Sequence, residues 1–312
     1  MSFFTTYSRK LENLIAVVIF LITFAVYFST MAPTVSFWDT GEFIATSHIL
    51  GVPHPPGSPL FLLVGKFFSL IPISSDIAYR VNIFSPIISA LTISLLFLIC
   101  NQFIHRAEPK DSNKFFKMWS SLTASLTFAF THSHWFNAVE TEVYAFSGFM
   151  TALVIYLIMR WSEKMHNSDH VIYLIFISYI IGLATGLHLL NLLTIPFIGL
   201  IIYFSIGKIS TKNLILTITL SLISFFGIQS FIIQGLPQIT ASIGLMGLML
   251  LIISLIAFTI YSIKSRKAFS SIFLSSTLLI IIGYSTYFSI FIRSGQDPNI
   301  DENNPETIAE AI

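Results

Sequence analysis

The chain has 312 residues, of which 54% are hydrophobic and only 10% are charged, and its formal net charge is +1. A soluble domain carries about 25% charged residues, so the composition excludes a soluble enzyme, and the charge balance excludes a nucleic-acid partner. Because the apolar residues form long unbroken runs and do not alternate as in a transmembrane β-barrel, we expect an all-α polytopic protein of the lipid bilayer.

Nine apolar runs approach the roughly 20 residues that a membrane-spanning helix requires. The first run is too long for a cleavable signal peptide and has no A-x-A-like cleavage site after it. The segment from Gln234 to Gln238, which contains Gly235 and Pro237, predicts a turn between two spans. The predicted spans are 14–32, 81–104, 118–135, 143–161, 170–187, 190–206, 214–234, 240–261 and 269–292.

A shorter apolar segment lies between the first two spans. The 13 residues from Pro59 to Ile71 are too few to cross a bilayer. Ser58 suits the N-cap and Pro59 the first helical position, which predicts a helix lying in the membrane interface. We therefore expect a transmembrane domain over 1–292, whose first outer loop runs from 33 to 80. The polar tail 293–312 is expected to begin a further soluble domain on the outer side.

The distribution of charge predicts the orientation, because Lys and Arg favour the inner side of a membrane. With a cytoplasmic N-terminus and an outer C-terminus, 13 of the 16 basic residues lie inside, and only Lys66, Arg80 and Arg293 lie outside. The inner group includes Lys110 and Lys208. Ten of the 15 acidic residues lie outside, which predicts that the chemistry is there. They are Asp39, Glu42, Asp76, Glu140, Glu142, Asp297, Asp301, Glu302, Glu306 and Glu310.

Two carboxylates in the first outer loop are the leading candidates for catalysis. Asp39 and Glu42 are three residues apart, so on a helix they share a face and can act as a general base with its partner, or as metal ligands. The structural alternative is a capping box, with Asp39 at the N-cap and Glu42 at the third helical position.

Further polar side chains lie in the outer loops. Three prolines around His54 predict an extended, stiff segment, which presents the imidazole or only forms a rigid turn. In the second outer turn, His132 and His134 are either weak zinc ligands or interfacial residues, and Glu140 is either part of a site or a helix cap. Glu142 belongs to the same turn. The third turn holds His188 with Asn191, in a site or in an interhelical hydrogen bond.

Two motifs of the first outer loop occur together: Trp38-Asp39-x-Gly41-Glu42-Phe43, followed by Leu50-Gly51-x-Pro53-His54-Pro55-Pro56-Gly57-x-Pro59-Leu60. This pair resembles the multi-pass O-mannosyltransferase-like proteins, long catalogued as a domain of unknown function, and the resemblance covers essentially the whole chain. The acidic loop, the Pro-Pro interfacial helix and Tyr79-Arg80 at the second span are similar to the broader GT-C glycosyltransferase superfamily.

The resemblance implies a GT-C-like fold and a membrane glycosyltransferase in the inner membrane of a bacterium. Such an enzyme moves a sugar, mannose or another hexose, from a polyprenyl-phosphate carrier to Ser or Thr of an exported protein on the outer face. By the same resemblance Asp39 is the catalytic base, with Glu42 and His54 ordering the base or the acceptor. Whether such an enzyme uses a divalent metal ion stays an open question. The resemblance also leads us to expect a truncated chain that is inactive by itself.

Two other functions compete with the transferase. A transporter should show inverted repeats and broken helices, which this sequence does not contain. A non-catalytic anchor for an outer domain needs neither the acidic loop nor the Pro-Pro helix.

The leaving phosphate needs a cation at the outer surface. We expect it to be held by Arg80 first and Arg293 second, because arginine grips phosphate oxygens with two hydrogen bonds. The alternative for both is an interface anchor or an ion-pair partner, and the histidines at 54, 132 and 134 are the next candidates.

Overall fold

A computed structural model describes residues 3–107, 113–167, 169–206 and 209–308, with side chains from Arg9 onward. Within these residues every regular element is helical, and one isolated parallel bridge joins Val52 to Asp301. The all-α prediction is therefore confirmed. Lys110, Lys208, Glu310 and the last four residues of the predicted outer tail lie outside the described residues.

The chain divides into two compact units. The first comprises Met1–His48 and Val64–Tyr156, and the second Ile49–Leu63 and Leu157–Ile312. The first eight helices, in chain order, are α1 Phe3–Thr30, α2 Thr40–Ile49, α3 Pro59–Leu70, α4 Ile77–Asn82, α5 Phe84–Ala107, α6 Lys114–Ala129, α7 His132–Ala138 and α8 Val143–Lys164. Three of these helices, α2, α3 and α8, have residues in both units.

The core of the first unit forms where α1, α5 and α6 meet. Ile19, Ile93 and Phe97 are at most 2% exposed and pack together with two small residues, Ala16 and Ala129. Polar bonds join the same helices, since the Ser94 hydroxyl donates to the Ala16 carbonyl oxygen at 2.7 Å. The Tyr27 hydroxyl likewise donates to the Ala129 carbonyl oxygen at 2.9 Å. Small residues let the helices approach, and hydroxyl bonds tie them together, as is usual for helices in membranes.

The second unit is held by a close crossing of α9 and α13. Gly182 and Gly283 lie at the crossing, where a Cβ atom on either would overlap main-chain atoms of the other helix. The later elements are α9 His170–Thr185, a 3₁₀ turn Leu189–Leu193, α10 Thr194–Ile206, α11 Thr211–Gly227, a π-helical turn Ile228–Gln234, α12 Gly235–Lys264, α13 Ala268–Tyr284, a 3₁₀ turn Ser285–Tyr287 and α14 Phe288–Ser294.

Six helical stretches of the described chain are long and apolar enough to span a membrane, so the chain is an integral membrane protein. The predicted count of nine is not confirmed. The intervals predicted at 118–135 and 170–187 hold helices of only 16 residues, α6 and α9. The six stretches are Arg9–Thr30, Ile77–Ala107, Val143–Lys164, Leu189–Ile206, Thr211–Lys264 and Ala268–Ser294.

The turn predicted at 234–238 is wrong, because this segment is helical and joins the π turn to α12. Pro237 has no N–H to donate to the carbonyl oxygen four residues earlier, which belongs to Ile233. The Tyr284 hydroxyl donates to that oxygen instead, at 3.0 Å. The substitute bond lets the helix continue through the proline. The chain bends later, at Gly244, whose φ of 70° suits glycine.

The short helix predicted after the Pro-rich segment is present as α3, which begins at Pro59 as expected. The hydroxyl of Ser58 donates to the Leu187 carbonyl oxygen at 3.1 Å.

Candidate active site

Three carboxylates come together in the first unit. Asp39 directly precedes α2, whereas Glu140 and Glu142 lie in the turn between α7 and α8. The Glu142 carboxylate accepts hydrogen bonds from the main-chain N–H groups of Asp39 and Val143, and it senses the negative charges of Asp39 and Glu140. We call Asp39, Glu140 and Glu142 the acidic cluster. It joins two loops that are about 100 residues apart in sequence.

Burial and like charge make Glu142 a proton-exchanging group near neutral pH. Its side chain is 5% exposed, and burial, with the charges of Asp39 and Glu140, raises the pKa of its carboxyl to about 7. Burial also raises the pKa of Glu140, while a hydrogen bond from the Ser36 hydroxyl opposes the increase. A general acid or base works best when its pKa lies near the working pH, so Glu142 has the property that acid–base catalysis requires.

Asp39 and Glu42 occupy the positions that the capping-box alternative assigns to them. Asp39 stands at the N-cap position of α2, and its carbonyl oxygen accepts the N–H of Phe43 at 2.9 Å. In a capping box the side chain at the third helical position takes the N-cap N–H. The Asp39 N–H donates to the carboxylate of Glu142, from another loop. Glu42 lies in the first turn of α2, with a carboxylate oxygen within 4.8 Å of one of Asp39.

A network of hydrogen bonds fixes the loop that carries Asp39. The fully buried Asn82 donates through Nδ2 to the carbonyl oxygens of Ala32 and Thr34, both at 2.9 Å. Its Oδ1 accepts the hydroxyl of Thr141, the residue between the two glutamates. Asn82 thus ties the chain before Asp39 to the turn that holds Glu140 and Glu142.

Two further bonds complete this framework. The Ala32 N–H donates to the Val139 carbonyl oxygen at 2.8 Å. The Thr34 hydroxyl donates to the Asp76 carboxylate, and this bond, with the N–H groups of Tyr79 and Ala78, lowers the pKa of Asp76. Neither Asn82 nor Thr141 was singled out from the sequence, because their partners are 48 to 59 residues away and no local motif marks them.

Arg80 supports the end of α3. Its Nε donates to the Ser74 carbonyl oxygen at 2.6 Å and its Nη1 to the Ser69 carbonyl oxygen at 3.1 Å. These bonds satisfy carbonyl groups at and after a helix C-terminus. They occupy two of the five N–H donors of the guanidinium. The predicted phosphate contact therefore depends on the other donors.

His132 and His134 lie on the short helix α7, where side chains two residues apart do not face each other. The His134 ring packs against Phe128 and Tyr27, with ring centroids 4.7 and 5.9 Å away. The His132 ring stacks on Phe136. This arrangement does not direct both imidazoles at one metal ion.

Four polar residues singled out from the sequence belong to the second unit, namely His54, His188, Asn191 and Arg293. His54 lies in the Pro-rich segment, and its carbonyl oxygen accepts the N–H of Gly57 at 2.9 Å. His188 caps the 3₁₀ turn that follows α9, its Nδ1 accepting the Leu190 N–H, and burial lowers its pKa. Asn191 donates to the His188 carbonyl oxygen at 2.9 Å, so this pair makes a local hydrogen bond.

Arg293 ends α14 and also binds main-chain oxygens. Its Nε donates to the Leu50 carbonyl oxygen at 2.7 Å and its Nη2 to that of Ile49 at 3.2 Å. Its Nη1 donates to the Gln296 side chain. Two of its three nitrogens therefore hold the end of α2 and the residue after it, and the third binds Gln296.

Comparison with known proteins gives consistent results. The family model described as "Protein O-mannosyl-transferase TMEM260 N-terminal domain" matches residues 39–212, a range that contains the acidic cluster. The chain is 26% identical over 230 residues to "Protein O-mannosyl-transferase tmem260" of Dictyostelium discoideum, which covers 70% of the chain and 26% of that protein. It is 30% identical over 149 residues to "Protein O-mannosyl-transferase TMEM260" of Mus musculus, which covers 47% and 20%.

The chain thus spans about a quarter or less of the length of these curated relatives. No solved structure matches it.

Proposed function

The chain belongs to the family of the protein O-mannosyl-transferase TMEM260 N-terminal domain, and from this premise we propose that it is the membrane part of a glycosyltransferase. The proposed reaction moves a hexose, with mannose as the first candidate, from a polyprenyl-phosphate carrier to Ser or Thr of an exported protein. The proposed architecture is GT-C-like. The acidic cluster, with Glu142 titrating near neutral pH, is the observation that carries the proposal.

In the proposed reaction the acceptor hydroxyl oxygen attacks the anomeric carbon of the hexose. Asp39 accepts the hydroxyl proton, and a bond forms between the acceptor oxygen and that carbon. The bond from the carbon to the lipid phosphate breaks, and its electron pair leaves with the phosphate. Glu142 is about half protonated near its pKa of about 7, so it exchanges the proton with Asp39 and solvent.

The surrounding groups have supporting roles in this proposal. Glu42, within 4.8 Å of Asp39, orients the base. Asn82 and Thr141 position the two loops through their hydrogen bond. The three remaining N–H donors of Arg80 are the first candidates for the leaving phosphate, because Arg293 uses all three of its nitrogens.

The test of the reaction uses the purified full-length protein in lipid nanodiscs. A radiolabelled hexose is offered on a polyprenyl phosphate or, in parallel, on a nucleotide, with an exported protein as acceptor. We expect alkali-labile label on Ser or Thr from the lipid donor alone. Transfer from the nucleotide sugar, or none from either donor, would contradict the proposal.

The outer location of the acidic cluster is tested by thiol labelling. Val35 is 52% exposed and lies in the loop that precedes Asp39. We expect Val35→Cys to react with an impermeant thiol reagent from the outer side only. The parent protein, whose single cysteine is Cys100 in α5, is the control. Labelling only from the cytoplasmic side would reverse the proposed orientation.

A further inference from the structure

A cavity of about 680 Å³ opens within the second unit. One wall is the Pro-rich segment 52–57, a second is the π turn with the start of α12, and a third combines the ends of α13 and α14 with the chain at 302–305. Its volume is in the range of small-molecule and peptide-side-chain sites, roughly 300–1,000 Å³. π-helical turns often occur at functional sites.

Hydrogen bonds fix each wall of this cavity. The Val52 N–H donates to the Ile300 carbonyl oxygen at 2.8 Å, and the Glu302 N–H donates to the Val52 carbonyl oxygen at 3.0 Å. The Tyr284 hydroxyl holds the carbonyl oxygen of Ile233 at 3.0 Å. These bonds fix the main chain of the segments that form the walls.

The charge of the lining favours a neutral or positively charged ligand. Among the described residues that line the cavity, Glu302 is the one charged side chain, and none is Lys or Arg. A phosphate placed here would meet a carboxylate with no lining cation to offset the repulsion. This lining therefore suits a neutral or cationic ligand better than the lipid phosphate.

The polar groups of the lining suit a peptide main chain. Gln234, Gln238 and Asn303 contribute three carboxamides, each able to donate and to accept. Apart from these groups, the walls are largely proline and aromatic. Aromatic-lined grooves bind extended polypeptide in several recognition domains, and Tyr284, Tyr287 and Phe291 supply aromatic lining here.

An apolar extension adds room for a side chain. A second cavity of about 140 Å³ shares Pro237, Tyr284, Tyr287 and Phe291 with the first. Its other walls are almost entirely aliphatic or aromatic, so it suits an apolar side chain of a bound segment.

We propose that this cavity binds the acceptor polypeptide as an extended segment. The carboxamides of Gln234, Gln238 and Asn303 bind its main chain, the apolar extension takes one apolar side chain, and Glu302 pairs with a Lys or Arg of the segment. The inference rests on the proposed function, since it names the substrate segment of that reaction. It predicts that acceptor segments that carry a basic residue are favoured.

The experiment compares Glu302→Lys with the control Glu306→Lys in the full-length protein. Glu306 is an exposed acid of the same tail that does not line the cavity. Initial rates are measured against the concentration of two synthetic peptides from a modified acceptor, identical except that one flanking position of the segment is Lys in one peptide and Glu in the other.

We expect Glu302→Lys to raise the KM for the Lys peptide at least about tenfold and to lower the KM for the Glu peptide. The KM for the lipid donor and the rate of donor hydrolysis without peptide should stay unchanged, and Glu306→Lys should alter none of these values. Gln238→Ala should raise the KM for both peptides alike.

If the parent and Glu302→Lys have equal KM values for both peptides, the inference is overturned. It is also overturned if Glu302→Lys raises the KM for the lipid donor as much as it raises the KM for the Lys peptide. Binding of both fluorescent peptides to the parent is measured by anisotropy without donor, so a failure of the transferase reaction is distinguished from a failure of the cavity. Displacement of the Lys peptide by free mannobiose would show a sugar site and also overturn the inference.

Discussion

Replacing Glu142 by Gln should stabilise the protein at pH 8 and leave its stability nearly unchanged at pH 4.5. The folded structure raises the pKa of this carboxyl from 4.5 to about 7, so the folded chain binds the proton more tightly than the unfolded chain. The contribution of Glu142 to the stability of the parent is therefore greatest below pH 4.5 and is lost as the pH rises through about 7. The Glu142→Gln variant has a neutral amide of the same size, so its stability does not fall through ionisation at this position.

The magnitude follows from the shift. Each pKa unit corresponds to about 1.4 kcal/mol, so a shift from 4.5 to about 7 destabilises the ionised parent by about 3 kcal/mol. Glu142 is only 5% exposed, so solvent screens this penalty little. The Gln side chain can still accept a hydrogen bond from the Asp39 or Val143 N–H.

The assay is unfolding in nanodiscs by denaturant or heat, repeated from pH 4.5 to pH 8. We expect the free-energy difference between Glu142→Gln and the parent to rise by about 3 kcal/mol over this range. The control Glu306→Gln, in the exposed tail, should show no such change. A difference that stays flat across this pH range would refute the account of burial and like charge in the acidic cluster.

Four further substitutions test how the fold is held together. Asn82→Ala removes three hydrogen bonds of a fully buried side chain and should destabilise the protein by about 3 kcal/mol, with a lower kcat in the transfer assay; an unchanged unfolding midpoint would contradict this. Gly283→Ala puts a methyl group into main-chain atoms of α9 and should lower the free energy of unfolding by about 1–3 kcal/mol. At Gly148 a Cβ atom would have nothing within 4 Å, so Gly148→Ala should raise the free energy of unfolding by about 0.5–1 kcal/mol. Trp38 is 81% exposed at a φ of 58°, so Trp38→Gly should raise the free energy of unfolding by about 1 kcal/mol, and a loss of stability would show that the indole packs on the protein.

The helices could be predicted well from the sequence because their signal is local. The apolar runs located α1, α5 and α8, and the Ser-Pro start located α3. The turn predicted at 234–238 is wrong because the helix continues through Pro237. A single tertiary hydrogen bond, from the Tyr284 hydroxyl to the Ile233 carbonyl oxygen, replaces the bond that the proline cannot make. That donor is 51 residues away, so no window of the sequence contains both partners.

Some features of the candidate site could likewise be predicted from the sequence, and others could not. The position of Asp39 and the acidic character of the turn holding Glu140 and Glu142 follow from the motif and from the distribution of charge. The raised pKa of Glu142 does not, because it depends on burial and on a carboxylate about 100 residues away. The contact of Asn82 with Thr141 is equally non-local.

The sequence alone could not predict which acceptors Arg80 and Arg293 bind. The phosphate role of Arg80 and Arg293 stays a prediction, and both also donate to carbonyl oxygens near helix ends. An arginine that caps a helix and one that binds a phosphate look alike in a sequence, because the difference lies in which acceptor the folded chain brings to the guanidinium.

The most direct test of the central claim is the transfer rate of Asp39→Asn in the full-length protein. The substitution keeps the size of the side chain and much of its capacity as a helix N-cap, but it removes the proton acceptor. We predict at least a ~100-fold loss of hexose transfer, with the amount and thermal stability of folded protein close to those of the parent. Normal transfer by Asp39→Asn would contradict the assignment of Asp39 as the base. A loss of folded protein in proportion to activity would instead leave Asp39 with a capping role alone.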